Sequence, residues 1–143
     1  MTAVTIVDAG YRSTHYWVLS AGRSRLLVDL GWPDTMGALR ANLQRMDIPL
    51  HELRYALATH YHIDHAGLAQ DLKNAGVPLL VLDVQVQAIP LMQRWVKPHA
   101  RFTEIALHDN VVISCAESRA LLRQIGIDGE ILPGHPAGFW AGE

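Results

Sequence analysis

Cysteine is almost missing from this chain: Cys115 stands alone among 143 residues. That excludes an internal disulfide framework and fits a reducing compartment. Long apolar runs are missing too, since no stretch approaches the ~18 residues that suggest a spanning helix. Charge is sparse, at 18% of residues, and nearly balanced at a net −2. No electrostatic case therefore exists for nucleic acid or an anionic membrane as partner. The first residues, Met1 to Asp8, carry no basic segment and meet an acid early, so no signal peptide is expected. Internal repeats, low-complexity tracts and linkers are absent as well. The expectation is a cytoplasmic protein.

What the chain does have is apolar side chains, half of all residues, over a length that fits one domain with a real core. Residues 3–7 are β-branched and alternating, which predicts a strand, and Asp8 to Gly10 makes a break. Thr14–Ser20 and Arg25–Asp29 flank Ala21 to Ser24 as the arms of a hairpin. Asp34 is placed to N-cap a helix to about Met46, with Met36, Leu39, Leu43 and Met46 on one stripe. Ile48 and Pro49 stop it. A short strand follows at Arg54–Ala58.

A helix then starts near His65, buries Leu68, Ala69, Leu72 and Ala75, and is ended by Gly76 and Pro78. Val77–Leu82 is a continuous apolar run, the pattern of a strand covered on both faces. Asp83 is placed to cap a helix through Val84–Val96 that Pro90 should kink. Residues 97–110 read as irregular, Val111–Ile113 as a strand, Ser118–Ile125 as a helix, and Glu130–Leu132 as a strand before a tight loop at Pro133–Pro136. Strands alternating with helices predict an α/β layered domain over residues 1–143.

Eight histidines are many for this length, and three of them fall in Thr59-His60-Tyr61-His62-Ile63-Asp64-His65-Ala66-Gly67. Residues i and i+2 on extended backbone project to one side, so His60 and His62 can face a single ion. Neutral imidazole suits Zn²⁺. Asp64 and His65 lie where the chain turns into a helix and can serve a second metal about 3.5–4 Å from the first. A catalytic zinc keeps an open position for a water whose pKa falls to about 7, which supplies hydroxide at neutral pH. Each residue also has a plainer use. Asp64 alone can N-cap the following helix, and any one of the histidines can be a satisfied polar group. Their concentration within six residues favours the metal.

His60-Tyr61-His62-Ile63-Asp64-His65-Ala66-Gly67 resembles the HxHxDH motif of the metallo-β-lactamase-fold hydrolase superfamily at every defining position. Leu27-Val28-Asp29-Leu30-Gly31 resembles the strand-ending Asp-x-Gly that precedes the motif there. Ser118 to Leu122 and Ile131 to His135 resemble the approach to that family's Pro-Gly-His loop. The resemblance implies an αββα sandwich with mixed sheets, here only its first part, in a truncated or reduced form. It implies His60, His62 and His135 as ligands of a first zinc, with Asp64 and His65 contributing to a second. Asp29 would stand behind the ligands and orient one of them, although an Asp at a strand end also commonly satisfies a turn.

The family's later strands carry an acid that bridges two metals and a last histidine. Here eight residues follow His135, and Glu143 is the only acid or histidine among them. Pro136 to Trp140 lack the Ser and Asp usual after the Pro-Gly-His, and Leu132 replaces a common Thr. One zinc is thus expected, with two donors available to a second. A fragment, a dimerising half-domain and a single-zinc variant all fit this pattern.

The expected function is zinc-dependent hydrolysis of an ester, lactam, thioester or related bond in a small molecule, with Asp64 orienting the water or taking its proton. The alternative is a non-catalytic zinc-binding or assembly module. A homo-oligomer is expected in either case, because an incomplete sheet leaves an open edge. Trp32, Trp95 and Trp140 are candidates for a pocket wall but better suited to core or interface packing. His99 and His108 read as solvated, and Cys115 as buried and inert.

Overall fold

The computed structural model describes residues 3–11, 14–96, 101–117 and 120. Six strands form one mixed sheet in chain order: β1 (Val4–Asp8), β2 (Trp17–Ala21), β3 (Ser24–Val28), β4 (Leu53–Leu57), β5 (Leu79–Leu82) and β6 (Val111–Ile113). β1, β2 and β3 pair antiparallel, and β3 to β6 pair parallel. Among the described residues four α-helices accompany them: α1 (Met36–Arg45), α2 (Ile63–Ala66), α3 (Ala69–Asn74) and α4 (Ala88–Val96). The layered α/β class and the mixed sheet are as expected. Among the described residues there is no second sheet, so one half of the expected sandwich is present. No helix among them is long and apolar enough to cross a membrane.

Register explains the core. Val18, Leu27, Ala56 and Leu79 are successive cross-strand partners on one face, and all four are fully buried. Leu39 and Leu43 of α1, Ala69 and Leu72 of α3, and Ile89, Met92 and Val96 of α4 join the same cluster. The opposite face carries Ile6, Leu19, Leu26 and Tyr55 as partners in one row, with Leu57, Leu80 and Val111 in another. Leu19, Leu26, Tyr55 and Leu80 are only half-buried there, and Ile6 is 57% exposed.

The hairpin closes on two residues, with Gly22 at φ 61° in the first turn position, as the twist of paired strands favours. Helices α1 and α3 end with the same device. Asp47 at φ 55° and Gly76 at φ 89° follow α1 and α3 in left-handed conformation. The amides of Ile48 and Val77 reach back to the carbonyls of Leu43 and Leu72, which satisfies carbonyls otherwise orphaned at a helix end.

Several local expectations fail for identifiable reasons. Asp34 is not the cap of α1, because it is left-handed at φ 63° and Thr35 takes the N-cap position. Asp34 instead pairs with Arg101 at 2.9 Å. Met46 is exposed, and Asn42 takes a buried place, donating to the carbonyls of Ala9 and Gly10 at 2.9 Å each. Pro90 kinks nothing. The expected long helix is a 3₁₀ turn at Asp83–Gln85 followed by α4, and Pro90 falls in the first turn of α4, where backbone N–H groups lack helical partners anyway. Trp32 and Trp95 are exposed rather than packed, and Cys115 is half-exposed rather than buried. His108 is solvated as expected. The expected helix at Ser118–Ile125 (save Ala120), the strand Glu130–Leu132, His99, His135, Trp140 and Glu143 lie outside the described residues.

Candidate metal centre

The histidine motif begins where β4 ends and is held from two sides. On one side, β3 stops at Val28 and the chain turns left-handed at Asp29, φ 66°. Asp tolerates that conformation better than most residues. The turn docks on the motif through backbone bonds: Asp29 N donates to Leu57 O, Leu30 N to His65 O, and Gly67 N to Gly31 O, at 2.7–2.8 Å. Gly67 is there because nothing larger fits. A Cβ on it would lie 2.3 Å from Gly31 O and 2.4 Å from Pro33 N.

Asp29 is buried, and its Oδ1 accepts from both the amide and the hydroxyl of Thr59, at 2.9 and 2.8 Å. Since the Thr59 hydroxyl gives its proton to Asp29, the 3.1 Å contact between that hydroxyl and His60 Nδ1 requires the imidazole to donate there. This tautomer leaves the lone pair on Nε2, the arrangement that a ligating histidine needs. Burial first, and then the neighbouring His65 and His62, push the His60 pKa down to about 4. The ring is therefore neutral at pH 7 and able to coordinate.

The structure brings His60, His62 and His65 together. The His60 ring lies 4.6 Å from that of His62, edge-on, and 4.0 Å from that of His65. His65 sits between two carboxylates, with Nδ1 3.0 Å from Asp29 Oδ2 and Nε2 3.3 Å from Asp64 Oδ2. The Nδ1 contact has the distance of an ion pair but not the alignment of a hydrogen bond, and this buried nitrogen has no hydrogen-bond partner among the described residues. Asp64 does not cap the helix: His62 holds the N-cap position of α2, and Asp64 lies inside its first turn. Tyr61, between the two ligand candidates, points the other way and is fully buried.

This donor set suits a metal on two counts: a neutral His60 with its lone pair on Nε2, and an adjacent His62. Among the described residues, no three His, Cys, Asp or Glu side chains converge closely enough to hold an ion. His135, the third ligand that the resemblance implies, lies outside them. A separate open cleft of about 660 Å³, lined by Gln70, Gln93, Arg94, Thr103 and Ile105, shares no residue with the histidine cluster.

A sheet whose parallel strands end in this histidine cluster agrees with what comparison with known proteins finds. The sequence pattern of the metallo-beta-lactamase superfamily matches residues 9–136, and the chain belongs to that superfamily. Among solved structures, the native FEZ-1 metallo-beta-lactamase from Legionella gormanii is similar at a TM-score of 0.64 and 16% identity, over 76% of this chain and 43% of that one. The GOB-18 metallo-beta-lactamase from Elizabethkingia meningoseptica gives 0.64 and 17%, over 78% of this chain and 43% of that one. BJP-1, a subclass B3 metallo-beta-lactamase of Bradyrhizobium japonicum, gives 0.56 and 20%, over 62% and 34%. The chain thus spans less than half the length of these proteins. No curated protein matches it.

Sequence reasoning missed Gln85. Its side-chain amide donates to Ala58 O at 3.0 Å and Thr59 O at 2.9 Å, just ahead of His60. No spacing rule signals it, because its partners are backbone carbonyls on a strand distant in sequence.

Proposed function

We propose that the chain is a zinc-dependent hydrolase of the metallo-beta-lactamase superfamily, acting on an ester, lactam, thioester or related bond of a small molecule. Superfamily membership supports a metal-dependent hydrolase. The observation that carries the reading is the meeting of the His60, His62 and His65 rings at 4.0–4.6 Å beside Asp29 and Asp64. His60 and His62 would hold one zinc together with His135, and Asp64 and His65 would be available to a second.

When bound, zinc supplies a Lewis acid and lowers the pKa of water to about 7. The chain's own contribution is geometric and protonic. Asp29, through Thr59, keeps His60 as the Nδ1–H tautomer, and Asp64 offers a half-exposed carboxylate to orient a water or take its proton. The similar solved structures are of metallo-beta-lactamases, which makes a chromogenic lactam the first substrate to try.

The test is zinc per chain by elemental analysis, together with turnover of a chromogenic lactam and ester. About one zinc per chain, lost in His60→Ala and His62→Ala along with turnover, is expected. An unaltered chain that takes up no zinc would overturn the proposal.

A second reading, a non-catalytic zinc-binding module that assembles as a homodimer, is favoured by the open face of the sheet. Ile6, Leu19, Leu26, Tyr55, Leu80 and Val111 line it, with Asp8, paired to His15, as a charged residue at its β1 margin. Two copies could stack the apolar part of such faces about 10 Å apart. Zinc bound without turnover, in a chain whose light-scattering mass is that of a dimer, would establish this reading. A monomer mass at every concentration would sink it.

A further inference from the structure

We infer that Gln85 is a positioning residue for the candidate metal centre, resting on the metal-binding reading above. The 3₁₀ turn Asp83–Gln85 follows β5, the strand beside β4, and brings Gln85 against the end of β4. There its Nε2 donates to both Ala58 O and Thr59 O, while its Oε1 accepts from Leu82 N at 3.2 Å. The last bond ties the side chain to its own turn and sets which way the amide faces.

The consequence lies in the peptide plane. Thr59 C=O and His60 N–H belong to one rigid planar unit, so holding that carbonyl fixes the direction in which His60 leaves the strand. Asp29 holds the other two polar groups of Thr59, its amide and its hydroxyl. All three are therefore pinned, the amide and hydroxyl from the β3 side and the carbonyl from the β5 side. Thr59 is the fixed point from which both His60 and, two residues on, His62 are aimed. Neither glutamine nor its turn touches the imidazoles through any of these bonds. Gln85 acts on them through Thr59.

Gln93 provides the control. It also makes two bonds to distant backbone, donating to Ile105 O at 3.3 Å and accepting from Ile105 N at 2.8 Å, and it is buried. Those bonds secure a loop remote from the histidines. A purely structural role for Gln85 would make the two glutamines equivalent.

The experiment compares the unaltered chain with Gln85→Met, Gln85→Glu and Gln93→Met. Co²⁺ affinity and the visible Co²⁺ spectrum are read beside urea stability of the metal-free protein. Gln85→Glu keeps the acceptor for Leu82 N and loses both donations, so it isolates the bonds at issue. Both Gln85 variants are expected to weaken Co²⁺ about tenfold, toward the low end for groups that orient ligands, and to alter the spectrum. Gln93→Met should lower stability and leave both metal readouts unchanged.

Unchanged affinity and spectrum in the Gln85 variants, or equal losses in Gln93→Met, would overturn the inference. If the unaltered chain binds no Co²⁺, the metal reading fails instead, and amide resonances decide the positioning role. Thr59 to His62 should then broaden or shift in Gln85→Met and not in Gln93→Met; identical spectra in this region would overturn it.

Discussion

Replacing Asp29 separates two costs that the structure superimposes on one residue. The first is conformational: Asp29 is left-handed at φ 66°, where a residue with an ordinary Cβ costs about 1–2 kcal/mol. The second is the loss of a carboxylate oxygen that accepts from the Thr59 amide and hydroxyl, and a hydrogen bond to a charged group contributes about 1.5–3 kcal/mol. Asp29→Ala incurs both and should lose roughly 2.5–5 kcal/mol, a large part of the 5–15 kcal/mol typical of a folded domain. Asp29→Gly removes the conformational cost and should recover about 1–2 kcal/mol of that loss. Asp29→Asn tolerates the backbone and keeps an acceptor, so it should lose only about 1 kcal/mol. Urea unfolding followed by far-ultraviolet circular dichroism, in chelator to remove metal, measures all three. Equal stability of the Ala and Gly variants would refute the conformational part. An Asn variant as weak as Ala would show that charge, not acceptor geometry, is what Thr59 requires.

Three further outcomes are expected. Gly67→Ala should destabilise by about 3 kcal/mol or more, since its Cβ meets backbone atoms at 2.3–2.4 Å, whereas Gly76→Ala, with nothing within 4 Å, should cost only the roughly 1–2 kcal/mol of its φ; thermal melts of both give the ranking. Lys73 Nζ donates to Ala106 O, His108 O and Asn110 Oδ1 at 2.7–3.0 Å, so Lys73→Met should speed hydrogen exchange of the 105–110 amides while leaving β2 and β3 protected. Burial raises the phenols of both Tyr16 and Tyr61 above their ordinary value of 10.0, which means the unfolded chain releases those protons first. Stability should therefore be intact below pH 10 and fall above it, each phenol contributing up to about 1.4 kcal/mol per pH unit until it ionises in the folded chain. Tyr16→Phe should make that slope shallower while Tyr61 keeps the rest, and an unchanged slope would refute the assignment to Tyr16.

Much of the fold was legible because side-chain period and turn chemistry act locally. β1, the hairpin and the Gly76 stop needed only alternation and a glycine able to take positive φ. The histidine motif was legible for the same reason: its spacing carries its geometry. What escaped were residues whose reasons lie across the sheet. Asn42 reads as a solvent position in the α1 stripe, yet it is buried to bind the carbonyls of Ala9 and Gly10. Asp34 has a good cap's chemistry, but the turn after Gly31 leaves it left-handed and puts Thr35 at the cap. There the Thr35 hydroxyl is committed to Trp32 O and Tyr16. Asp29 offered two roles on paper, a turn residue or a support for the ligands. In the structure the left-handed turn that ends β3 also aims its carboxylate at Thr59 and His65, so one residue serves the turn and touches the histidine motif.

The order of the sheet has a consequence for how this protein is made. Every described strand pairs with the one before it in the chain, so none of these six has to wait for a later one to be inserted beside it. Such a topology can be laid down in the direction of synthesis, each new strand finding its template already in place. Asp29 is then in position before Thr59 emerges, and Thr59 before Gln85. The two side chains that flank the motif would arrive one on each side of it in time, the first as a mould and the second as a latch.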